Sequence, residues 1–142
     1  MPPASLQLSQ SQLDAIIAHA RAHAGLEVVG LLGGQGGRVM GVYPLENNSP
    51  RPEVSFLQGD QDFLNAFFDI DKQGWDLVAI YHSHPRGAGA SPSPADIDNA
   101  NYPEALNLIV SFDDEGQPEV RVFQIAGGRA REVALEVVSA VT

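Results

Sequence analysis

The chain contains no cysteine. Disulfides, thiolate metal sites and cysteine nucleophiles are therefore excluded, and any metal must be held by His, Asp or Glu. Basic residues are scarce as well: 8 Lys and Arg stand against 18 Asp and Glu, a formal net charge of -10. Phosphate binding draws its affinity from clustered Lys and Arg, so nucleic acid is not an expected partner. No apolar run approaches the roughly 20 residues that span a bilayer, which argues against a membrane protein. The opening MPPASLQLSQ has neither a basic stretch nor an apolar core ahead of a small-residue cleavage site, so no secretory signal is expected and the cytoplasm is the default location. At 142 residues the expectation is one domain over 1–142, too short for a substrate domain joined to a cofactor domain. The hydrophobic content of 44% is that of a globular chain and leaves a homo-oligomer open.

Hydrophobic spacing predicts the elements. Leu13, Ile16, Ile17, Ala20 and Ala24 recur at helical intervals, with Ser9 or Ser11 as N-cap and Gly25 as the stop. EVVGLLGG and RVMGVYPL then read as two strands of a hairpin, followed by the polar loop ENNSPRPE. Residues 60–72 predict a second amphipathic helix, with Phe63, Leu64, Phe67 and Phe68 as a broad aromatic face. WDLVAIYHSH reads as a central strand, ADIDNANYPEA as a short helix, and LNLIVSF with EVRVFQIA as a hairpin around DDEG. REVALEVVS suits a strand or a helix. The expected architecture is an α+β sandwich, a mixed, largely antiparallel sheet flanked by helices.

The most informative stretch is HSHPRGAGASPSPAD, residues 82–96, at the end of the central strand. Alternation along a strand points His82 and His84 to one face and Ser83 to the other. Two imidazoles presented together suit a zinc ion, which in catalytic sites keeps one open position. Ser93, Pro94 and Asp96 have an ordinary explanation as N-cap, first helical residue and acidic N3 residue. Behind HxH, the same Asp96 can fold back to complete a His2Asp set. Other HxH or histidine-pair chemistries fail on these residues. His19 and His23 share a helix face, but His19 is followed by Ala20 and not by the Glu of HExxH. Metallo-β-lactamase-type sites want further Asp and His where Pro85 and Arg86 stand. A (β/α)8 barrel needs about 250 residues, zinc deaminases need cysteines, and GxSxG is missing.

On these residues the chain resembles the JAMM (JAB or MPN+) metalloprotease family, whose motif is a distant Glu, HSH or HTH followed by Pro, then SxxD. Here those elements are Glu27, which opens EVVGLL, then His82, Ser83, His84 and Pro85, then Ser93 and Asp96. The resemblance implies a cytidine-deaminase-like JAB/MPN fold and a Zn2+ held by His82, His84 and Asp96. It implies Glu27 as general base and Ser93 as hydrogen-bond donor to the oxyanion. It also implies hydrolysis of an amide bond after the tail of a ubiquitin-like or sulfur-carrier protein. Residues 85–92 make the connecting loop one residue longer than the family's usual seven, with Ser91 and Asp98 as the fallback serine and aspartate. Two rivals stand beside this reading: a non-catalytic MPN-type scaffold, whose members generally lose ligands that this chain keeps, and an amidase acting on small peptide or amino-acid conjugates.

Overall fold

The computed structural model describes residues 5–22, 27–45, 61–98, 102 and 104–139. Among the described residues the strands are β1 (Ser5–Ser9), β2 (Val29–Gln35), β3 (Arg38–Leu45), β4 (Asp76–Ser83), β5 (Leu106–Phe112), β6 (Pro118–Ala126) and β7 (Arg129–Val138). Its helices are α1 (Gln10–Ala22), α2 (Gln61–Lys72) and α3 (Pro94–Asp98). The predicted order holds with one strand added in front. SLQLS is short enough to pass for the lead-in to a helix, yet it alternates with period two and buries Leu6 and Leu8 completely. Ser9 ends β1 and caps α1: its Oγ accepts the Gln12 N–H at 3.2 Å, and the Gln12 side chain accepts the Ser9 N–H at 2.9 Å, a reciprocal capping box. REVALEVVS resolves as strand, because it pairs with β6 on one side and with β1 on the other.

The strands follow the order β3-β2-β4-β5-β6-β7-β1. Pairing is antiparallel except where β4 meets β5 and where β1 meets β7 and β3. The sheet curls, so that Gln7 of β1 also meets Arg38 of β3 in a single parallel pair. Because β4 and β5 are parallel, the chain between them must cross back over the sheet, and the loop with α3 is part of that crossover. The mixed, largely antiparallel sheet expected from the sequence is thus what forms. No helix among the described residues is long and apolar enough to cross a membrane.

Alternation sorts the sheet's two faces into separate cores. On one, α1 places Ile16 and Ala20 against Leu32, Ala79, Tyr81 and Leu108. On the other, α2 places Phe63, Ala66 and Ile70 against Val29, Leu31 and Ile80, with Trp75 packed alongside. Tyr81 is fully buried, and its ring lies where a Cβ on Gly30 would come within 2.1 Å, so only glycine fits opposite it. The Tyr81 hydroxyl meets His19 Nδ1 at 2.7 Å, with the two rings edge to face. His19 is therefore drawn into contact with the sheet and is not simply a solvated position of α1, while His23 lies outside the described residues.

Candidate metal centre

His82 lies on the Ile80 side of β4, the side covered by α2, and His84 continues that side one step beyond the strand's end. The ladder still holds there: the His84 N–H donates to the Val110 carbonyl of β5 at 2.8 Å. Both imidazoles thus ride on paired backbone. Ser83 points the other way, is 3% exposed, and its Oγ accepts the Val28 N–H at 2.8 Å across 55 positions of sequence. The Ser83 N–H in turn donates to the Val28 carbonyl at 3.0 Å. These two bonds fix the chain just ahead of β2. Val29 pairs with His82, so continuing that antiparallel register sets Glu27 across from His84.

That arrangement makes Ser83 more than a spacer between histidines. Removing its hydroxyl leaves the buried Val28 N–H without its acceptor, a loss of about 1–3 kcal/mol. Ser83→Ala should lower the unfolding free energy by that amount in a denaturant titration, whereas Ser83→Thr, which keeps the hydroxyl, should lose much less.

The third donor arrives from the crossover. His82 Nε2 and His84 Nε2 stand 3.3 Å apart; Asp96 Oδ1 lies 3.2 Å from the first and Oδ2 lies 2.9 Å from the second. All three side chains are mostly buried. The capping explanation of Asp96 also holds: the Asp96 N–H donates to Ser93 Oγ at 3.1 Å, and the Ser93 N–H donates to Asp96 Oδ2 at 2.8 Å. One carboxylate therefore both starts α3 and faces the histidines. Asp98 is exposed and stands outside the group, and Ser91 is engaged elsewhere, its Oγ accepting from the Arg121 guanidinium at 2.8 Å.

Residues 85–92 absorb their extra length by being tied down. Gly87 and Gly89 take φ of 81°, a left-handed turn open to glycine. The Gly87 N–H donates to the Phe112 carbonyl at 2.9 Å, and the Ala90 N–H donates to Glu119 Oε1 at 2.9 Å. Ala90 is 1% exposed, packed with Ile109, Phe123 and Ile125, and Ile97 of α3 joins the same cluster. The loop's apolar anchor thereby sets where α3, and with it Asp96, comes to rest. Ser83 stood in the sequence only as the middle residue of HSH, without its bond to Val28, and neither Ala90 nor Glu119 stood out as a partner of the site, since each acts across strands and no local spacing signals it.

Electrostatics favour a cation at this point. Burial alone would raise the Asp96 carboxyl, but hydrogen bonds from His82, His84 and the Ser93 N–H outweigh it and hold the group far below the usual carboxylate range. Burial would likewise lower His84, yet its bonds to Asp96 and to the Gly89 carbonyl, with the charges of Asp96 and Glu27, raise it instead. The contribution of Glu27 agrees with the β2–β4 register, which continued sets that residue across from His84. His84 Nδ1 lies 2.9 Å from the Gly89 carbonyl, and a carbonyl only accepts, so Nδ1 carries the hydrogen. His84 Nε2 is left as the atom facing His82 and Asp96. Two imidazole nitrogens and an ionised carboxylate, all close enough to share one ion, are a donor set that could hold a metal ion such as zinc.

Sequence and fold are shared with known proteins. Residues 9–126 match the family described as prokaryotic homologs of the JAB domain. A Thermus thermophilus protein named as a probable TtuB-protein conjugate cleaving protease is 37% identical over 132 residues, covering 93% of this chain and 82% of its own. The CysO-cysteine peptidase of Mycobacterium tuberculosis is 32% identical over 130 residues, covering 89% and 86%. A solution structure of a protein from Desulfitobacterium hafniense superposes with a TM-score of 0.80 at 31% identity, covering 96% of this chain and 94% of that one. With the match running from the cap of α1 to the end of β6, the chain belongs to the family of prokaryotic homologs of the JAB domain.

Proposed function

We propose that the protein is a zinc-dependent peptidase that hydrolyses the amide or isopeptide bond following the C-terminal tail of a ubiquitin-like or sulfur-carrier protein. The observation that carries this reading is the convergence of His82 Nε2, His84 Nε2 and the Asp96 carboxylate, and the β2–β4 register, continued to Glu27, supports that residue as the base. Zinc bound there supplies a Lewis acid that polarises an amide carbonyl and brings the pKa of water toward about 7. Glu27 takes the water's proton and passes it to the departing amine. Ser93 donates to the oxygen on which charge develops: its Oγ accepts the Asp96 N–H, a bond that does not use the hydroxyl hydrogen. The small residues of the loop beside the site suit a narrow diglycine-like tail. On the same side of the sheet α2 exposes Leu64, Phe67 and Phe68, the last at 64%, which gives a protein-sized partner apolar surface to rest on.

The names of the two relatives both describe removal of something conjugated to a protein, in one case a second protein and in the other a cysteine. Hydrolysis of an amino-acid conjugate is therefore the second reading, using the same residues. The test is elemental analysis of the purified protein together with cleavage of two substrates, a carrier protein fused through its tail to another protein and the same carrier ending in a single added amino acid. Stoichiometric zinc and chelator-sensitive cleavage are expected, and the faster substrate decides between the readings. Protein purified without chelator that holds no zinc and cleaves neither substrate would move the assignment to the non-catalytic scaffold.

A further inference from the structure

We propose that Glu119 is a positioning residue for His84, acting through the peptide that joins Gly89 to Ala90. The inference rests on the reading of His84 as a metal ligand. His84 Nδ1–H donates to the Gly89 carbonyl at 2.9 Å, and the N–H of that same peptide unit, on Ala90, donates to Glu119 Oε1 at 2.9 Å. No cis peptide bond occurs among the described residues, so the carbonyl and the N–H point to opposite sides of the peptide. The imidazole, the peptide dipole and the carboxylate therefore lie in series. An anion accepting from the N–H polarises the peptide and makes its carbonyl a stronger acceptor, and hydrogen bonds so chained reinforce one another. A stronger acceptor behind Nδ1–H holds the ring's tautomer and orientation and raises the basicity of Nε2, the service that a carboxylate bonded directly to a ligating histidine performs.

The fold supplies what the relay needs. Glu119 sits in β6 opposite Ser111 of β5, one residue beyond the Val110 whose carbonyl holds the His84 N–H. Both ends of the relay are thus referenced to the same strand pair. Gly89, at φ 81°, turns its carbonyl toward the ring while Ala90 is buried behind it. Arg121, two residues along on β6, offers a built-in comparison. It ties the same loop through Ser91 Oγ at 2.8 Å and is anchored by Glu132 at 2.7 Å, yet it touches neither Gly89 nor Ala90 in its hydrogen bonds.

The test is competitive chelator titration of zinc with the wild type, Glu119→Ala, Glu119→Gln and Arg121→Ala, read beside the His84 Nδ1–H signal in protein labelled with 15N-histidine. Glu119→Ala should weaken zinc by up to about 10-fold, the low end of what losing a partner bonded directly to a ligand costs, because Glu119 is exposed and acts through one peptide unit, and should shift the His84 Nδ1–H signal and speed its exchange with water in both metal-free and zinc-loaded protein. Glu119→Gln, which keeps an oxygen acceptor but not the charge, should fall between wild type and Glu119→Ala in affinity and in signal shift, and Arg121→Ala should leave affinity and signal near wild type. Unchanged affinity and signal in Glu119→Ala would overturn the relay, as would an equal loss in Arg121→Ala, which would mean that loop order alone matters. Should Glu119→Ala not fold, an unshifted His84 signal in Glu119→Gln overturns it. A wild type that binds no zinc would remove the underlying reading of His84 and the relay's purpose with it, an outcome distinct from the others.

Discussion

Glu27→Gln should leave zinc content at the wild-type level and reduce amide hydrolysis by about 10²- to 10⁴-fold, the usual contribution of a positioned acid–base group. The substitution is nearly isosteric and does not touch any of the three donors that face one another, His82, His84 and Asp96. Local structure should survive too, because the Val28–Ser83 bonds that tie this part of the chain to β4 use backbone groups and the Ser83 hydroxyl, which the substitution leaves in place. What is lost is the only step that the amide cannot perform, which is to take a proton from water and return it to the amine. Two secondary effects oppose each other: the charge of Glu27 is among the causes that raise His84, so neutralising it should make His84 slightly easier to deprotonate, while it also removes a nearby negative charge that attracts the ion. Rates on a tail-linked fusion and elemental analysis on the same preparations check both halves. Turnover near the wild-type rate with full zinc would remove Glu27 from the role.

The sequence displayed the donors better than it displayed what holds them. His82 and His84 were legible because a strand has period two, so HxH can only present two rings on one side, and the apolar WDLVAIY ahead of it leaves little alternative to a strand. Ser93 and Asp96 were legible as a capping pair, and the capping pair is there at 3.1 and 2.8 Å. Glu27 had no local signal and was found only through resemblance to a known motif, because its relation to His84 is created by the pairing of β2 with β4. The same reason hides the hydroxyl of Ser83 under Val28, the Tyr81 bond to His19 and the Glu119 bond to Ala90: all three join elements distant in sequence. β1 escaped notice for a different reason. Five residues carry too little pattern to outweigh the helical spacing that begins immediately after them, and burial of Leu6 and Leu8 depends on β7, more than a hundred residues later. The aromatic face of residues 60–72 was legible as a stripe, but not its division: Phe63 packs inward while Phe68 stays exposed.

Asp96→Ala should abolish stoichiometric zinc and with it hydrolysis, whereas Asp98→Ala should change neither. The two aspartates lie on the same short helix, so the contrast is a direct test of geometry over proximity: Asp96 Oδ1 and Oδ2 reach the two imidazoles at 3.2 and 2.9 Å, while Asp98 is exposed on α3. Removing a donor should cost more than the about 10- to 100-fold that losing a partner behind a ligand costs, because the two imidazoles that remain carry no negative charge to offset the ion's. The complication is that Asp96 also caps α3, and loss of a capping side chain alone costs about 0.5–2 kcal/mol. Asp96→Asn separates the two duties. Its side-chain oxygen can still accept the Ser93 N–H, so α3 should keep its start, yet the neutral amide is a far weaker donor to a cation. The metal-free protein loses the carboxylate's interactions with His82 and His84 in both variants but the cap only in Asp96→Ala. Zinc affinity should therefore fall in both, with a smaller loss of metal-free stability in Asp96→Asn than in Asp96→Ala. If Asp96→Asn bound zinc as tightly as the wild type, the carboxylate's place at this site would be that of a cap alone, and the third donor would have to be sought elsewhere around His82 and His84.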